Sequence, residues 1–206
     1  MKKAVTVNQY IPPVAPITAI ILAGGRSSRM KEDKALLSVW GMPLIEKVAK
    51  NISPYVHEII ISTQVQGLYD FLPYRVVLDK TEGQGPLMGI LCGLEASSNP
   101  INFIIACDIP EVDASFLHQL ISYTTQYEIV VPVSPENKFE PLFAFYNQSL
   151  IPRIHLLLNQ GTRKILELYP IAKTKTVPML ANHWFYNLNT AADYHRYLTQ
   201  EQLRSK

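Results

Sequence analysis

The chain has 206 residues, of which 48% are hydrophobic and 17% are charged, and its formal net charge is +2. This length and composition predict a single domain with a sizeable core. A net charge so close to zero disfavours nucleic acid or a membrane surface as the main partner. The two cysteines, Cys92 and Cys107, lack CxxC spacing, which argues against a zinc site or a disulfide framework and fits a reducing cytoplasm.

Residues 1–16 are interrupted by Pro12, Pro13 and Pro16, and they predict a short extended arm rather than a signal peptide. We expect one domain over 17–200 and a C-terminal tail at 201–206. No apolar run approaches the roughly 18 residues of a membrane span, so a cytoplasmic location is expected.

The first predicted strand runs directly into a small-residue loop that carries cations. Residues 17–22 are apolar except for Thr18 and predict a buried strand of a parallel sheet. The loop begins Ala23-Gly24-Gly25, whose minimal side chains let main-chain N–H groups approach an anion closely. Neither a Walker A loop nor a GxGxxG string occurs in the chain. The loop therefore predicts a phosphate site of another kind, or a glycine turn followed by a solvated basic segment.

Beyond this loop, apolar runs alternate with helical patterns, which is typical of an α/β fold. The pattern predicts strands at 58–62, 74–78, 102–106, 128–133, 142–146 and 174–178, and helices at 44–52, 86–96, 115–125, 150–159, 163–168 and 191–199. Right-handed crossovers would place the loops that follow the strands along one edge of a doubly wound sheet. Ligands bind at that edge in such sheets.

Two acidic residues follow predicted strands at this edge. Asp79 comes after the strand at 74–78, and Asp108 comes after the strand at 102–106. A carboxylate in the position of Asp108 suits Mg²⁺, which takes one or two protein carboxylates together with substrate phosphates and water. Both residues also fit ordinary turns, because aspartate is common there.

Five short motifs together give the chain a family resemblance. They are LAGGRSSRM at 22–30, DKAL at 33–36, GPLMG at 85–89, CDIP at 107–110 and NLNT at 187–190. In this order they resemble the molybdenum cofactor guanylyltransferase (MobA) family of MobA-like NTP transferases. The resemblance implies a Rossmann-like, three-layer α/β nucleotidyltransferase fold with a mostly parallel central sheet. It also implies that GTP and Mg²⁺ are used to join GMP to molybdenum-bound molybdopterin, with transient contacts to molybdoenzymes or other cofactor-biosynthesis proteins.

The resemblance also implies roles for individual residues. It gives catalytic roles to Lys34, Arg29 and Asp108, with Asp108 as the Mg²⁺ ligand. It places the guanine nucleotide against a larger set of residues, namely Leu22, Ala23, Gly24, Gly25, Lys34, Gln64, Asp79, Asp108 and Asn189. Lys34 also fits a surface lysine at a helix start.

Three positions depart from the family pattern. Gln64 stands near the place of a family asparagine, Lys31 replaces a common glycine, and Met88 replaces a common alanine, where it could crowd the nucleotide. Two other functions stay open: a cytidylyl- or sugar-1-phosphate nucleotidyltransferase of the same fold, and a nucleotide-binding regulator without turnover. The sequence Ala23-Gly24-Gly25 favours the guanylyl branch by resemblance.

The C-terminal half contains segments that resemble the acceptor side of the family's cleft. They are EPLFA at 140–144 and NLNT at 187–190. Thr190 and Asn189 also fit the cap of a helix that begins at Ala191. Arg163 and Lys164 either face the acceptor's phosphate or begin a solvated helix.

Overall fold

The computed structural model describes residues 15–24, 33–81, 83–179 and 187–204. The strands within these ranges are β1 (Ile17–Leu22), β2 (Ser38–Val39), β3 (Met42–Pro43), β4 (Glu58–Thr63), β5 (Arg75–Leu78), β6 (Ile101–Ala106), β7 (Ile129–Val133), β8 (Phe143–Asn147) and β9 (Thr174–Pro178). The α-helices are α1 (Leu44–Ile52), α2 (Pro86–Ala96), α3 (Ala114–Ile121), α4 (Ile151–Asn159) and α5 (Ala191–Arg204). None of these helices is both long and apolar enough to cross a membrane.

Seven of the strands form one sheet in the order β5-β4-β1-β6-β8-β7-β9. Only β8 runs against the others, because it pairs antiparallel with both β6 and β7. A strand that follows its neighbour through a loop without a crossover helix pairs antiparallel, and the 134–142 loop between β7 and β8 is such a connection. The structure therefore confirms the expected α/β fold with a mostly parallel central sheet.

Helices cover both faces of the sheet, which gives the three layers. Side chains of β1 alternate between two cores: Ile17, Ala19 and Ile21 pack with α1 and α3, whereas Ile20 and Leu22 pack with α2 and α4. Successive side chains of a strand point to opposite faces, so a strand buried on both faces is apolar at almost every position. This is why β1 lacks the polar alternation of a surface strand.

Helix α2 lies unusually close to β1. A Cβ atom added at Gly93 would lie 2.5 Å from Cγ2 of the fully buried Ile20. We predict that Gly93→Ala lowers the free energy of unfolding by about 1–3 kcal/mol, because the helix must move away from the sheet or Ile20 must leave its rotamer. Urea unfolding of Gly93→Ala, Ile20→Ala and the double variant measures this. Simply additive costs of the two substitutions would contradict the steric explanation.

The structure differs from the predicted elements at three helices. The predicted helix at 163–168 is a 3-10 helix, Ile165–Ile171, which contains Pro170. Proline removes a helical N–H donor and favours such a short form. Helix α3 ends before the predicted residue 125, where the hydroxyl of Thr124 donates to the Ile121 carbonyl. Helix α5 continues beyond the predicted end at residue 199.

Candidate functional site

A cleft of about 790 Å³ opens at the carboxyl ends of β5, β4, β1 and β6. Most of the residues selected from the sequence line it, namely Leu22, Ala23, Gly24, Lys34, Gln64, Asp79, Asp108 and Asn189. Gly25 and Arg29, which were also selected, lie outside the described residues. The edge of the sheet that the crossover rule favours is thus the edge where these side chains meet.

Most of the main-chain hydrogen-bonding groups at the end of β1 are already paired with neighbouring strands. The carbonyl of Leu22 accepts a hydrogen bond from the Cys107 N–H at 3.1 Å, and the Ala23 N–H donates to the Ser62 carbonyl at 2.8 Å. Within the described chain, Gly24 is the first residue after β1 whose N–H makes no hydrogen bond. Gly24 is therefore the best-placed described main-chain donor for an anion in the cleft.

A buried tyrosine connects the end of β1 to the residue before Lys34. The hydroxyl of Tyr69 lies 2.9 Å from Asp33 Oδ2, to which it donates, and 3.4 Å from the Ala23 carbonyl oxygen. The other oxygen of Asp33 accepts from the Ala35 N–H and caps the short 3-10 helix Lys34–Leu36. This contact fixes the position from which Lys34 enters the cleft. Sequence reasoning missed Tyr69, because no motif marks a contact across 36 residues.

We predict that Tyr69→Phe lowers the free energy of unfolding by about 1–3 kcal/mol, because one oxygen of the Asp33 carboxylate loses its buried donor. Tyr74→Phe is the matched control, since Tyr74 is only partly buried and its hydroxyl makes no hydrogen bond within the described chain. Thermal and urea unfolding of the two variants provide the comparison. Equal losses in both variants would show that the Tyr69 hydroxyl bond contributes nothing specific.

Lys34, Asp108 and Asn189 form a polar group on one wall of the cleft. The ammonium of Lys34 lies 3.6 Å from Asp108 Oδ2 and donates to Asn189 Oδ1 at 3.1 Å. Burial raises the pKa of Asp108, and the cation of Lys34 opposes that rise. The main chain makes a further hydrogen bond between these segments, from the Leu188 N–H to the Asp108 carbonyl at 3.0 Å. The loop before α5 is thereby held against the end of β6.

Asp108 is the described carboxylate whose surroundings best suit a metal ion with few protein ligands. No group of three or more metal-ligating side chains occurs among the described residues. Mg²⁺ often takes only one or two carboxylates and completes its shell with phosphate oxygens and water. The single hard oxygen donor of Asp108, on the wall of an open cleft, fits that mode of binding.

Asp79 lies at the other end of the cleft and is held by two side chains, one near the end of β4 and one from the residue that follows β4. The Ser62 hydroxyl lies 3.1 Å from Asp79 Oδ1, and the Gln64 amide donates to Asp79 Oδ2 at 3.2 Å. Burial raises the pKa of Asp79, and the hydrogen bonds from Gln64 and Ser62 oppose that rise. Ser62 was missed in the sequence, although a polar residue at the end of an otherwise apolar strand is a usable signal.

The glycine at the end of the GPLMG motif makes room for this arrangement. A Cβ atom at Gly89 would lie 3.1 Å from the Ser62 oxygen and 3.5 Å from Asp79 Oδ1. Met88, in contrast, is buried, and its sulfur lies 3.8 Å from Cys92 Sγ. Met88 does not line the cleft, so its side chain does not narrow the described part of the cleft. Lys31 lies outside the described residues.

The opposite half of the cleft is lined by Glu140, Pro141, Leu142 and Asn187. The amide oxygen of Asn187 is buried and has no hydrogen-bond partner within the described chain. An unpaired buried acceptor is costly, so a donor supplied by a ligand would relieve that cost. This half of the cleft therefore suits a polar ligand.

Local contacts bear on the alternative roles of Thr190 and of Arg163 and Lys164 in the C-terminal half. Thr190 caps α5, because its hydroxyl accepts from the Asp193 N–H while Asp193 accepts from the Thr190 N–H. Arg163 donates to the Gly83 carbonyl at 3.1 Å, and neither Arg163 nor Lys164 lines the cleft.

Comparisons with known proteins agree with this fold and identify the family. The sequence profile of the MobA-like NTP transferase domain matches residues 19–176. A protein of Carboxydothermus hydrogenoformans named "Probable molybdenum cofactor guanylyltransferase" is 35% identical over 88% of this chain and 95% of its own length. A protein of the same name from Flavobacterium johnsoniae is 32% identical, and the match covers 87% of this chain and 89% of the length of that protein.

A solved structure with the same fold is the molybdopterin-guanine dinucleotide biosynthesis protein A of Archaeoglobus fulgidus. Its TM-score is 0.76 at 23% identity, and the match covers 90% of this chain and 98% of that one. The fold, the edge of the sheet that carries the cleft, and the sequence match agree with one another. The chain belongs to the MobA-like NTP transferase family.

Proposed function

We propose that this protein transfers GMP from GTP to molybdenum-bound molybdopterin, giving molybdopterin guanine dinucleotide and pyrophosphate. The observation that carries the proposal is the Lys34–Asp108 pair, which brings an ammonium group and a carboxylate together in one cleft at the edge of the sheet. The relatives that are 32% and 35% identical to this chain are named for guanylyl transfer. The proposal extends that activity to this chain.

The reaction requires positioning and positive charge more than an activated side chain. The phosphate of molybdopterin attacks the α-phosphorus of GTP, a new P–O bond forms, and the bond to the departing pyrophosphate breaks. A phosphate monoester is already ionised near pH 7, so no serine, cysteine or histidine need be deprotonated. Burial raises the pKa of both Cys92 and Cys107, which keeps these thiols protonated and unreactive.

We assign the charged residues of the cleft as follows. Asp108 would hold Mg²⁺, which when bound neutralises charge on the phosphate oxygens. Lys34 would donate to the non-bridging and departing oxygens, and Arg29 would add charge from the preceding LAGGRSSRM motif. Gly24 would offer its main-chain N–H to the nucleotide, with Leu22, Ala23 and Gly25 forming the rest of the cradle.

In this proposal, Asp79 and Gln64 belong to the nucleoside end of the cleft, and Asn189 belongs to the acceptor end. Asp79, held by Gln64, would contact the guanosine end, and Asn189 would position Lys34 through their hydrogen bond. We place the protein in the cytoplasm, as one domain over 17–200, in transient contact with molybdoenzymes or other proteins of cofactor biosynthesis.

The direct test incubates the purified protein with Mg²⁺, molybdenum-loaded molybdopterin and GTP, and measures the dinucleotide and pyrophosphate formed. We expect product with GTP, little with CTP or ATP, and loss of product when EDTA removes the metal. Faster transfer from CTP than from GTP would assign the chain to a cytidylyltransferase instead. Binding of GTP with no pyrophosphate release under these conditions would favour a regulator without turnover.

A further inference from the structure

Glu140 lies in the half of the cleft that the nucleotide contacts proposed above do not use. It precedes β8, whereas Asp79 follows β5, and the sheet order places β4, β1 and β6 between those two strands. Neighbouring strands lie about 4.8 Å apart, so β5 and β8 lie roughly 19 Å apart across the sheet. Asp108, at the end of β6, lies between them. A ligand that extends past Asp108 away from Asp79 therefore reaches Glu140.

The Glu140 carboxylate is available as an acceptor. Its side chain is half-buried in the wall of the cleft and accepts no hydrogen bond within the described chain. Its charged neighbours are Lys138 and Glu136, which act at longer range than a hydrogen bond. Its main chain is fixed, because the Glu140 N–H donates to the Pro132 carbonyl and the Phe143 N–H donates to the Glu140 carbonyl. The main chain of Glu140 is thus held in place, and no described residue donates a hydrogen bond to its carboxylate.

A partly buried carboxylate to which the protein donates no hydrogen bond does little to stabilise the fold, but it can bind a ligand that carries donors. Donors from a ligand would satisfy carboxylate oxygens to which no described residue donates a hydrogen bond. A ligand with two adjacent N–H donors would pair with both oxygens of a carboxylate. Charge-assisted bonds of this kind are roughly twice as strong as neutral ones.

The acceptor substrate offers that pair of donors. A pterin ring carries a 2-amino-4-oxopyrimidine edge, on which the ring N3–H and the 2-amino group are adjacent donors. We propose that the Glu140 carboxylate recognises this edge and so selects the pterin of the acceptor substrate. This inference rests on the function proposed above, and it adds a specificity residue at the end of the cleft opposite Asp79.

The test compares two fluorescent ligands that differ only at this edge. They are 6-hydroxymethylpterin phosphate and the corresponding lumazine phosphate, in which a 2-oxo group replaces the 2-amino donor. The wild-type protein is expected to bind the pterin about tenfold to a hundredfold more tightly, the ratio that one hydrogen bond to a charged group gives. Glu140→Gln is expected to lose most of that preference, because the amide can no longer accept from both donors.

Glu136→Gln is the matched control. The substitution removes the same charge four positions away from Glu140. Glu136 is exposed and does not line the cleft. The Glu136→Gln variant should prefer the pterin phosphate over the lumazine phosphate by the same factor as the wild type. In turnover assays, Glu140→Gln should raise KM for molybdenum-loaded molybdopterin about tenfold or more and leave KM for GTP within about twofold.

The outcomes separate this inference from the proposed function. If the wild type transfers GMP but shows no preference for pterin over lumazine, or if Glu140→Gln keeps the preference, Glu140 does not read the pterin edge. Failure of the wild type to bind either pteridine would also overturn the inference. If the wild type prefers the pterin and Glu140→Gln loses that preference, but the wild type forms no dinucleotide from GTP, the inference stands and the proposed transfer reaction is wrong.

Discussion

Asp108→Asn is expected to lower GTP-dependent guanylyl transfer by about a hundredfold to a thousandfold. The amide keeps the size of the side chain but removes the charge that would hold Mg²⁺ and pair with Lys34. Losing one preorganised charge-stabilising group commonly costs this much in rate. The measurement is kcat from pyrophosphate release at saturating GTP and acceptor, in parallel with Asp70→Asn. Asp70 is exposed and does not line the cleft, so its variant should turn over like the wild type.

Stability provides the control for folding in this experiment. Burial raises the pKa of Asp108 in the folded protein above the ordinary value of 3.8. The folded state therefore binds the Asp108 proton more tightly than the unfolded state, and the stability this gives is lost as the pH rises through the folded pKa. Once ionised, Asp108 does not favour folding by this route, so at a pH above its folded pKa Asp108→Asn should melt no lower than the wild type. Near-normal turnover in this variant would refute the metal-binding role.

Most of the fold could be predicted because its signals are local. The strands β1, β4 and β6 are short apolar runs, and α2 begins at Pro86, where a missing N–H has no cost. Once these elements are placed, the general rule for parallel strands is that their carboxyl ends lie at one edge of the sheet, where ligands bind. The meeting of Asp79 and Asp108 in one cleft follows from that rule alone.

The parts of the site that sequence reasoning missed depend on contacts between distant residues. Tyr69 reaches Asp33 from a turn after β4, and Ser62 touches Asp79 only because β4 and β5 pair in a particular register. Neither contact has a sequence period or a motif. The position of Met88 shows the same limit, since its spacing in GPLMG does not reveal that its side chain points into the core.

Lys34→Met gives the second large expected effect. Methionine keeps the length and apolar stem of lysine but removes the ammonium that lies 3.6 Å from Asp108 and donates to Asn189. We expect kcat for guanylyl transfer to fall about a hundredfold to a thousandfold, because the departing pyrophosphate loses a fixed cation. Lys50→Met is the matched control, since Lys50 is exposed and pairs with Glu46 on the surface of α1. That variant should retain wild-type turnover.

The pH dependence of the remaining activity separates two roles of Lys34. In the wild type, burial raises the pKa of Asp108 and the Lys34 cation opposes the rise. Activity that needs ionised Asp108 is present above its folded pKa and is lost as the pH falls through it. Removing Lys34 takes away the largest effect that opposes burial and leaves only the backbone hydrogen bond to Asp108, so the acid limb of kcat/KM for GTP should move to higher pH in Lys34→Met. An unmoved acid limb together with the loss of kcat would mean that Lys34 acts on the substrate phosphates and not through Asp108.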